Sequence, residues 1–285
     1  MFFGRISNTW ELMVDSWRIL KQDKELLLFP LLSGICCIIV TASFVIPMFT
    51  NEAWLPPEAD ETGQVGTGEQ VAYYLKMFLF YFCNYLVIIF FNSAVIGCAA
   101  MRMNGQDPTI ADGFRICFAR MPLIVGWALV AATVGLILRI IEDKSDKIGR
   151  IIAGLLGMAW SAVSFLVLPV LVIEKKDPLT ALKDSTAMLK RTWGEQLMSN
   201  FSFGMVFFLL FLPAIIIVAI GFALASSTAI AVCITLAAIY TIVLALIQST
   251  LQSIFQTALY YYARDGRAPA GFETAALGDV MCQKY

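Results

Sequence analysis

Six long apolar stretches constrain this chain more than any other feature of its sequence. They cover residues 26–49, 73–101, 121–141, 148–173, 198–224 and 228–263. A hydrocarbon core about 30 Å thick needs about 20 apolar residues at a rise of about 1.5 Å per residue, and each stretch reaches that length. The runs are continuous rather than alternating, which favours helices over strands. The sequence therefore predicts an all-α, polytopic membrane protein with six transmembrane helices.

The composition agrees with a membrane protein and excludes several other classes. Hydrophobic residues make up 59% of the chain and charged residues 14%, whereas soluble domains are about half apolar and about a quarter charged. The 20 Lys and Arg residues against 21 Asp and Glu leave a net charge of −1, so we expect no nucleic-acid partner. The absence of histidine removes imidazole acid–base catalysis and imidazole metal sites. We therefore expect no enzyme activity, no metal and no cofactor.

The charges of the loops predict the orientation of the chain. Most Lys and Arg residues lie before the first stretch, after the second and fourth stretches, and in the tail. The loop over residues 50–72 has acids and no cation. Since cytoplasmic loops carry the excess of positive charge, both termini are expected in the cytoplasm. We predict a single membrane domain over residues 1–285, in the bacterial inner (plasma) membrane, with a cytoplasmic tail over 264–285.

A segment with the pattern of a surface helix precedes the first, third and fifth stretches. Within residues 1–25, apolar side chains recur at helical spacing over 3–20, with polar side chains between them. Asp107-Pro108 and Asp177-Pro178 each suit the N-cap and the first position of a helix. We infer three hairpins of two spans, each preceded by an amphipathic helix on the cytoplasmic side.

This arrangement leaves two alternatives open at the sequence level. The threefold pattern is either a true repeat or convergence on a common helix-start signal. The helix over 3–20 either lies in the membrane interface or packs as a soluble helix on the cytoplasmic ends of the bundle. The candidate contacts with the lipid surface are Trp10, Trp17, Lys183, Lys190, Arg191 and Trp193.

Two segments of the chain resemble known membrane proteins. EKKDPLTALKDSTAMLKRTWGEQL, which follows a stretch ending in LPVLVIEKK, resembles a pattern of an uncharacterised family of bacterial six-span proteins. It is similar also to the membrane domains attached to some glycerophosphodiester phosphodiesterases. The N-terminal SWRILKQDKELLLFPLLSG fits the uncharacterised family better. The resemblance covers nearly the whole chain, and it implies an architecture but transfers no active site.

Polar side chains are concentrated in the sixth stretch, where they form one face of the expected helix. Gln248, Gln252 and Gln256 are spaced by four residues, and a second row beside them has the same spacing. The second row is Ser249, Ser253 and Thr257. This face is either a groove for a lipid head group or small solute, or a surface that hydrogen-bonds to the amphipathic helices or meets water.

Two further patterns inside the stretches are candidates for helix–helix contact. Asn84 and Asn92 lie in the second stretch, where an amide needs a hydrogen-bond partner or a bound solute. In the fourth stretch, small residues recur every four positions and allow close approach of a neighbouring helix. They are Gly149, Ala153, Gly157 and Ser161.

Charged residues inside the stretches are confined to the predicted outer ends, and none of them is an acid. This distribution disfavours ion-coupled transport.

Two functions remain compatible with the sequence. The first is a non-catalytic membrane protein that organises lipids or protein partners at the cytoplasmic leaflet through its amphipathic helices. The alternative is a transporter or channel-like protein for a lipid or small amphiphilic solute, using the polar face of the sixth stretch and Asn84. The expected partners are membrane lipids, with a membrane-protein partner or a second copy of the chain as further candidates.

Overall fold

The computed structural model describes residues 2–51, 66–144, 146–224, 226–267 and 269–272. At residues 2–11, 144, 147–148, 190–203 and 205 it describes the backbone alone. Regular structure in the described residues is helical, with no strand among them, which confirms the all-α prediction. The helices are α1 (Phe2–Gln22), α2 (Leu28–Thr50), α3 (Thr67–Met103), α4 (Ile110–Ala119), α5 (Met121–Lys144), α6 (Lys147–Ser164), α7 (Val167–Pro169), α8 (Pro178–Ala223) and α9 (Ser227–Asp265). A 3-10 turn (Lys24–Leu27) precedes α2, and a π-helical segment (Val170–Glu174) follows α7.

Six segments of the described residues are long and apolar enough to cross a membrane. They are Lys24–Thr50, Thr67–Met103, Met121–Asp143, Gly149–Glu174, Val206–Ala223 and Ser227–Asp265. Each overlaps one of the six apolar stretches, as the sequence predicts. The helix before the fifth stretch is not a separate element, because α8 runs without a break for 46 residues. No proline lies between Pro178 and Pro213 to end it.

The two Asp-Pro pairs differ in their effect on helix starts. Pro178 is the first residue of α8, and the Asp177 carboxylate accepts a hydrogen bond from the Thr180 N–H at 3.0 Å, as expected for an N-cap. The prediction for Asp107-Pro108 is wrong by two residues, because α4 begins at Ile110.

Thr109 and Asp112 explain where α4 begins. The Thr109 N–H donates to the Asp112 carboxylate at 3.1 Å, and the Asp112 N–H donates to the Thr109 hydroxyl at 3.3 Å. This reciprocal pair satisfies two backbone N–H groups at the start of the helix, in the manner of a capping box. Asp107 is thereby left for another contact, with Arg102.

The described residues divide into two compact units. Unit 1 comprises Met1–Pro30, Val95–Asp112 and Thr186–Tyr285. In this unit α1 packs against α9, and the 3-10 turn contacts both helices. Leu12, Leu20 and Tyr260 are fully or almost fully buried there. Of the two alternatives for the N-terminal helix, packing on protein describes its buried face. Trp17 stays exposed on another face.

Unit 2 comprises Leu31–Ala94 and Gly113–Ser185. In this unit α5 packs against α6, and the rings of Trp127 and Trp160 stack with their centroids 5.7 Å apart. The α4 helix places Phe114 and Phe118 against Phe90, with ring centroids 6.3 and 5.6 Å away. Trp127 is buried whereas Phe118 is exposed, so the stacked tryptophan pair contributes apolar burial to the unit as well as ring geometry.

The fourth span is broken, which the sequence did not predict. α6 ends at Ser164, a turn follows at Phe165 and Leu166, and the chain continues as α7 and the π-helical segment. Pro169 supplies a physical reason, because it has no N–H and its ring clashes with the carbonyl four residues earlier, that of Phe165. Pro47 and Pro213, in contrast, lie inside the continuous helices α2 and α8.

Close packing of α8 on α9 gives a first testable prediction. A Cβ atom at Gly221 would lie 2.7 Å from Cβ of Cys233 and 3.4 Å from Cα of Ile230. We expect Gly221→Ala to lower the free energy of unfolding by about 1–3 kcal/mol, because the two helices must separate. Thermal unfolding in detergent would measure this loss. The control is Gly204→Ala in the same helix, where no described atom lies within 4 Å of the added Cβ; a similar loss there would contradict the packing explanation.

Candidate functional site

The polar face predicted in the sixth stretch lies on α9, and its two rows differ in burial. Gln252 is exposed, whereas Ser253 and Thr257 are buried. The Ser253 hydroxyl donates to the Ser249 carbonyl at 3.1 Å, and the Thr257 hydroxyl donates to the Ser253 carbonyl at 2.8 Å. These two hydroxyl donors are thus satisfied within their own helix. Gln248 and Gln256 are half-buried beside them.

Most of the predicted helix-contact residues are only half-buried. Asn84 is half-buried and donates from Nδ2 to the Phe80 carbonyl of its own helix at 3.0 Å, and Asn92 is half-buried as well. In the small-residue row, Ala153 is buried and the Cβ position of Gly157 lies 4.0 Å from Cδ1 of Leu138 in α5. At the two ends of the row, Gly149 is half-buried and Ser161 is exposed.

The candidate lipid-surface residues are only partly within the described side chains. Trp17, with 37% of its area exposed, and Lys183 are both on the surface. The side chains of Trp10, Lys190, Arg191 and Trp193 lie outside the described residues.

An ion-pair cluster that the sequence did not single out lies in unit 1, and we call it the Arg102 cluster. Nε and an Nη of Arg102 donate to the carboxylate of Asp23, and the same Nη donates to Asp107. The Asp23 side chain is only 8% exposed and that of Arg102 23%. The cluster therefore joins the residue that follows α1 to the C-terminal end of α3. Arg102 appears in the sequence as one more loop cation, and only the fold brings it to Asp23.

Aromatic side chains at the C-terminal end of α9 form a second cluster in unit 1. The Arg264 guanidinium lies over the rings of Tyr260 and Tyr261, 5.4 and 5.0 Å from their centroids. Nδ2 of Asn104 donates to the Tyr261 hydroxyl at 3.0 Å. The helix ends at Gly266, whose positive φ of 69° and N–H bond to the Tyr262 carbonyl form a glycine cap. The cluster ties the end of α9 to the end of α3.

A groove at the C-terminal end of α1 combines apolar and basic side chains, and we call it the Trp17 groove. Its volume is about 440 Å³. The described residues that line it are Trp17, Leu20, Lys21, Lys24 and Leu27. The Lys21 ammonium lies over the Trp17 ring, 5.7 Å from the centroid, at cation–π distance. The groove can therefore present positive charge beside an apolar wall.

The basic segment of unit 2 contains both paired and unpaired lysines. Lys176 donates to Asp184 at 2.7 Å and contacts Glu174 at 2.6 Å, and these two carboxylates raise the pKa of Lys176. The Thr180 N–H holds the pKa of Asp177 below its usual value. Lys175 and Lys183 are exposed and have no ion pair among the described residues.

The broken part of the fourth span is held by side chains of unit 2. The Ser185 hydroxyl accepts from the Leu166 N–H at 3.2 Å and donates to the Val163 carbonyl at 2.6 Å. Nε of Arg120 donates to the Val172 carbonyl at 2.9 Å. Leu166 and Val172 are buried, so these bonds satisfy backbone groups that the interrupted helix leaves free. Sequence reasoning missed Ser185 and Arg120, because their role depends on the break.

The described residues contain no group of three or more His, Cys, Asp or Glu side chains that could hold a metal ion.

Among known protein families, the model described as "Family of unknown function (DUF6159)" matches residues 71–272. None of the curated proteins compared with the chain matches it. The matched range contains the Arg120 and Ser185 contacts, whereas the Trp17 groove precedes it.

Proposed function

We propose that this chain, which belongs to the DUF6159 family of unknown function, is a non-catalytic membrane protein that binds anionic lipids. The lipids are those of the cytoplasmic leaflet of a bacterial inner membrane, with both termini on that side. By gathering such lipids, the protein organises lipids or protein partners there. The proposal starts from the match to an uncharacterised family and from the six apolar helices. The positions of the cations without an ion pair among the described residues support the preference for anionic lipids.

The observation that carries this proposal is that some cations stay free after ion pairing. Arg102 and Lys176 are held by carboxylates and serve the fold. Lys24, Lys175 and Lys183 are exposed and have no ion pair in the part of the chain that the structure describes. An ammonium without a carboxylate partner is available for a lipid phosphate. Each such cation near an anionic surface contributes about 1 kcal/mol.

The experiment compares the stability of the protein in two lipid environments. Wild-type protein in detergent is titrated with phosphatidylglycerol or with phosphatidylcholine, and the melting temperature is recorded. We expect phosphatidylglycerol to raise it more, because the free lysines bind the anionic head groups. Lys175→Gln with Lys183→Gln should reduce the difference, and 0.5 M NaCl should reduce it further, because salt screens exposed charges.

The control removes two positive charges from the predicted outer side, where Arg139 is paired with Glu142 and Asp143. Arg139→Gln with Arg150→Gln changes two exposed cations at the facing ends of α5 and α6. We expect this variant to keep the wild-type preference for phosphatidylglycerol. Equal melting temperatures of the wild-type protein in the two lipids, or an equal loss in both double variants, would contradict the proposed function.

A further inference from the structure

The Trp17 groove has the three features that an amphiphile with an anionic head requires. It lies at the end of α1 and in the 3-10 turn, where the first membrane-spanning segment begins at Lys24. Tryptophan and lysine are the side chains that anchor such boundaries, because the ring suits the interface and the ammonium reaches water. The groove therefore lies where lipid head groups would lie if this segment spans the membrane.

Among the described residues that line the groove, none is an acid that would neutralise its charge. Lys21 and Lys24 are its charged lining residues. Asp23 lies between them in sequence, but Arg102 binds its carboxylate and only 8% of that side chain is exposed. Glu25 is exposed and does not line the groove. The Arg102 cluster thus engages the carboxylate of Asp23, and the ammonium groups of Lys21 and Lys24 line the groove.

The other described residues that line the groove are apolar. Leu20 is almost fully buried and Leu27 is half-buried, so both form wall rather than open surface. The Trp17 ring covers one side and stays partly exposed. The volume of about 440 Å³ falls in the range of about 300–1,000 Å³ that small-molecule sites occupy. A head group with the first part of an acyl chain suits such a space.

We propose that the Trp17 groove is a discrete site for one phospholipid with an anionic head group. Lys21 and Lys24 bind its phosphodiester, and the Trp17 ring with Leu20 and Leu27 holds the glycerol and the start of a chain. This site deepens the proposed function and rests on it. The proposed function needs only a general attraction between the free lysines and the membrane. The Trp17 groove, in contrast, would bind one lipid per protein chain.

Native mass spectrometry of the full chain tests the site directly. The protein is released from micelles that contain phosphatidylglycerol at increasing concentration, and the one-lipid adduct is quantified. Lys21→Gln with Lys24→Gln should weaken its binding about 25-fold, since each cation near an anionic head group strengthens binding about fivefold. Lys21→Arg with Lys24→Arg should retain it, because the charge is unchanged. Glycerol 3-phosphate added in excess should not displace the lipid, because it has no chain for the apolar wall.

A second measurement locates the lipid within the chain. The chain has six tryptophans, so the signal of Trp17 is obtained as the difference between wild type and Trp17→Phe. Phosphatidylglycerol brominated on its acyl chains should quench this difference, and the quenching should saturate over the same concentrations as the adduct. Brominated phosphatidylcholine should quench it less at equal concentration.

The outcomes separate this site from the broader proposal. The control Arg139→Gln with Arg150→Gln should keep both the adduct and the quenching. If wild type prefers phosphatidylglycerol but the groove variant binds the adduct as tightly as the control, the groove is not the site, although the proposed function survives. Displacement by glycerol 3-phosphate would show a site for soluble phosphates and overturn the lipid assignment. If neither the wild type nor any variant prefers phosphatidylglycerol, both the groove site and the proposed function are wrong.

Discussion

We expect Arg102→Met to lower the free energy of unfolding by about 3–5 kcal/mol, the loss typical of breaking a buried ion pair. The substitution leaves the almost buried carboxylate of Asp23 without its guanidinium. Unfolding of the purified protein in detergent, by heat or by titration with SDS, would measure this loss. Adding Asp23→Asn to Arg102→Met should recover part of it, because a neutral amide needs no counter-charge.

Arg139→Gln is the control for this prediction. Arg139 pairs with Glu142 and Asp143, and all three side chains are about half exposed, at 46%, 50% and 48%. Exposed pairs of this kind contribute about 0–1 kcal/mol. A loss in Arg102→Met no larger than in Arg139→Gln would show that the Arg102 cluster does not hold unit 1 together.

The second large effect is expected where side chains hold the broken fourth span. Ser185→Ala leaves the buried Leu166 N–H without its acceptor, at a cost of about 1–3 kcal/mol. Arg120→Met removes a charged donor from the Val172 carbonyl, which costs about 1.5–3 kcal/mol. Because the two bonds serve different backbone groups, their effects should add to about 2.5–6 kcal/mol in the double variant. Hydrogen exchange at the Leu166 amide should also accelerate.

A control for this pair removes a hydroxyl and a charge whose contacts among the described residues both lie within α5. The Thr133 hydroxyl donates to the Leu129 carbonyl of α5 and is exposed, and Arg139 pairs only within that helix among the described residues. We expect Thr133→Ala with Arg139→Gln to change stability by no more than about 1 kcal/mol. If this control and the Ser185–Arg120 variant lose the same amount, the broken span does not depend on those two side chains.

The membrane helices were predictable because apolar length is a local property of the sequence. The helix over Thr67–Met103 and the start of α8 at Pro178 follow from apolar runs and a proline at the first helical position. The late start of α4 was also within reach, since Thr109 and Asp112 have the spacing of a capping box. The break before Pro169 was concealed by the apolar residues on both sides of it.

The site residues were less predictable because tertiary packing determines them. Asp23 and Arg102 are 79 residues apart, and no local pattern connects them. The hydroxyl row of α9 is visible in the sequence, but its burial depends on what packs against Ser253 and Thr257. Trp17 and Lys183 were expected at the lipid surface and are exposed, whereas their contact with lipid stays a prediction.

The packing of α1 against α9 has a consequence for biosynthesis. The ribosome makes α1 before α9, the helix against which it packs, and most of the described chain lies between the two in sequence. The face of α1 that packs on α9 therefore stays uncovered until α9 has been made. During that interval the nascent N-terminal helix must rest its apolar side on the bilayer surface or on a chaperone. A chain truncated before α9 would leave that side without its folded-state cover.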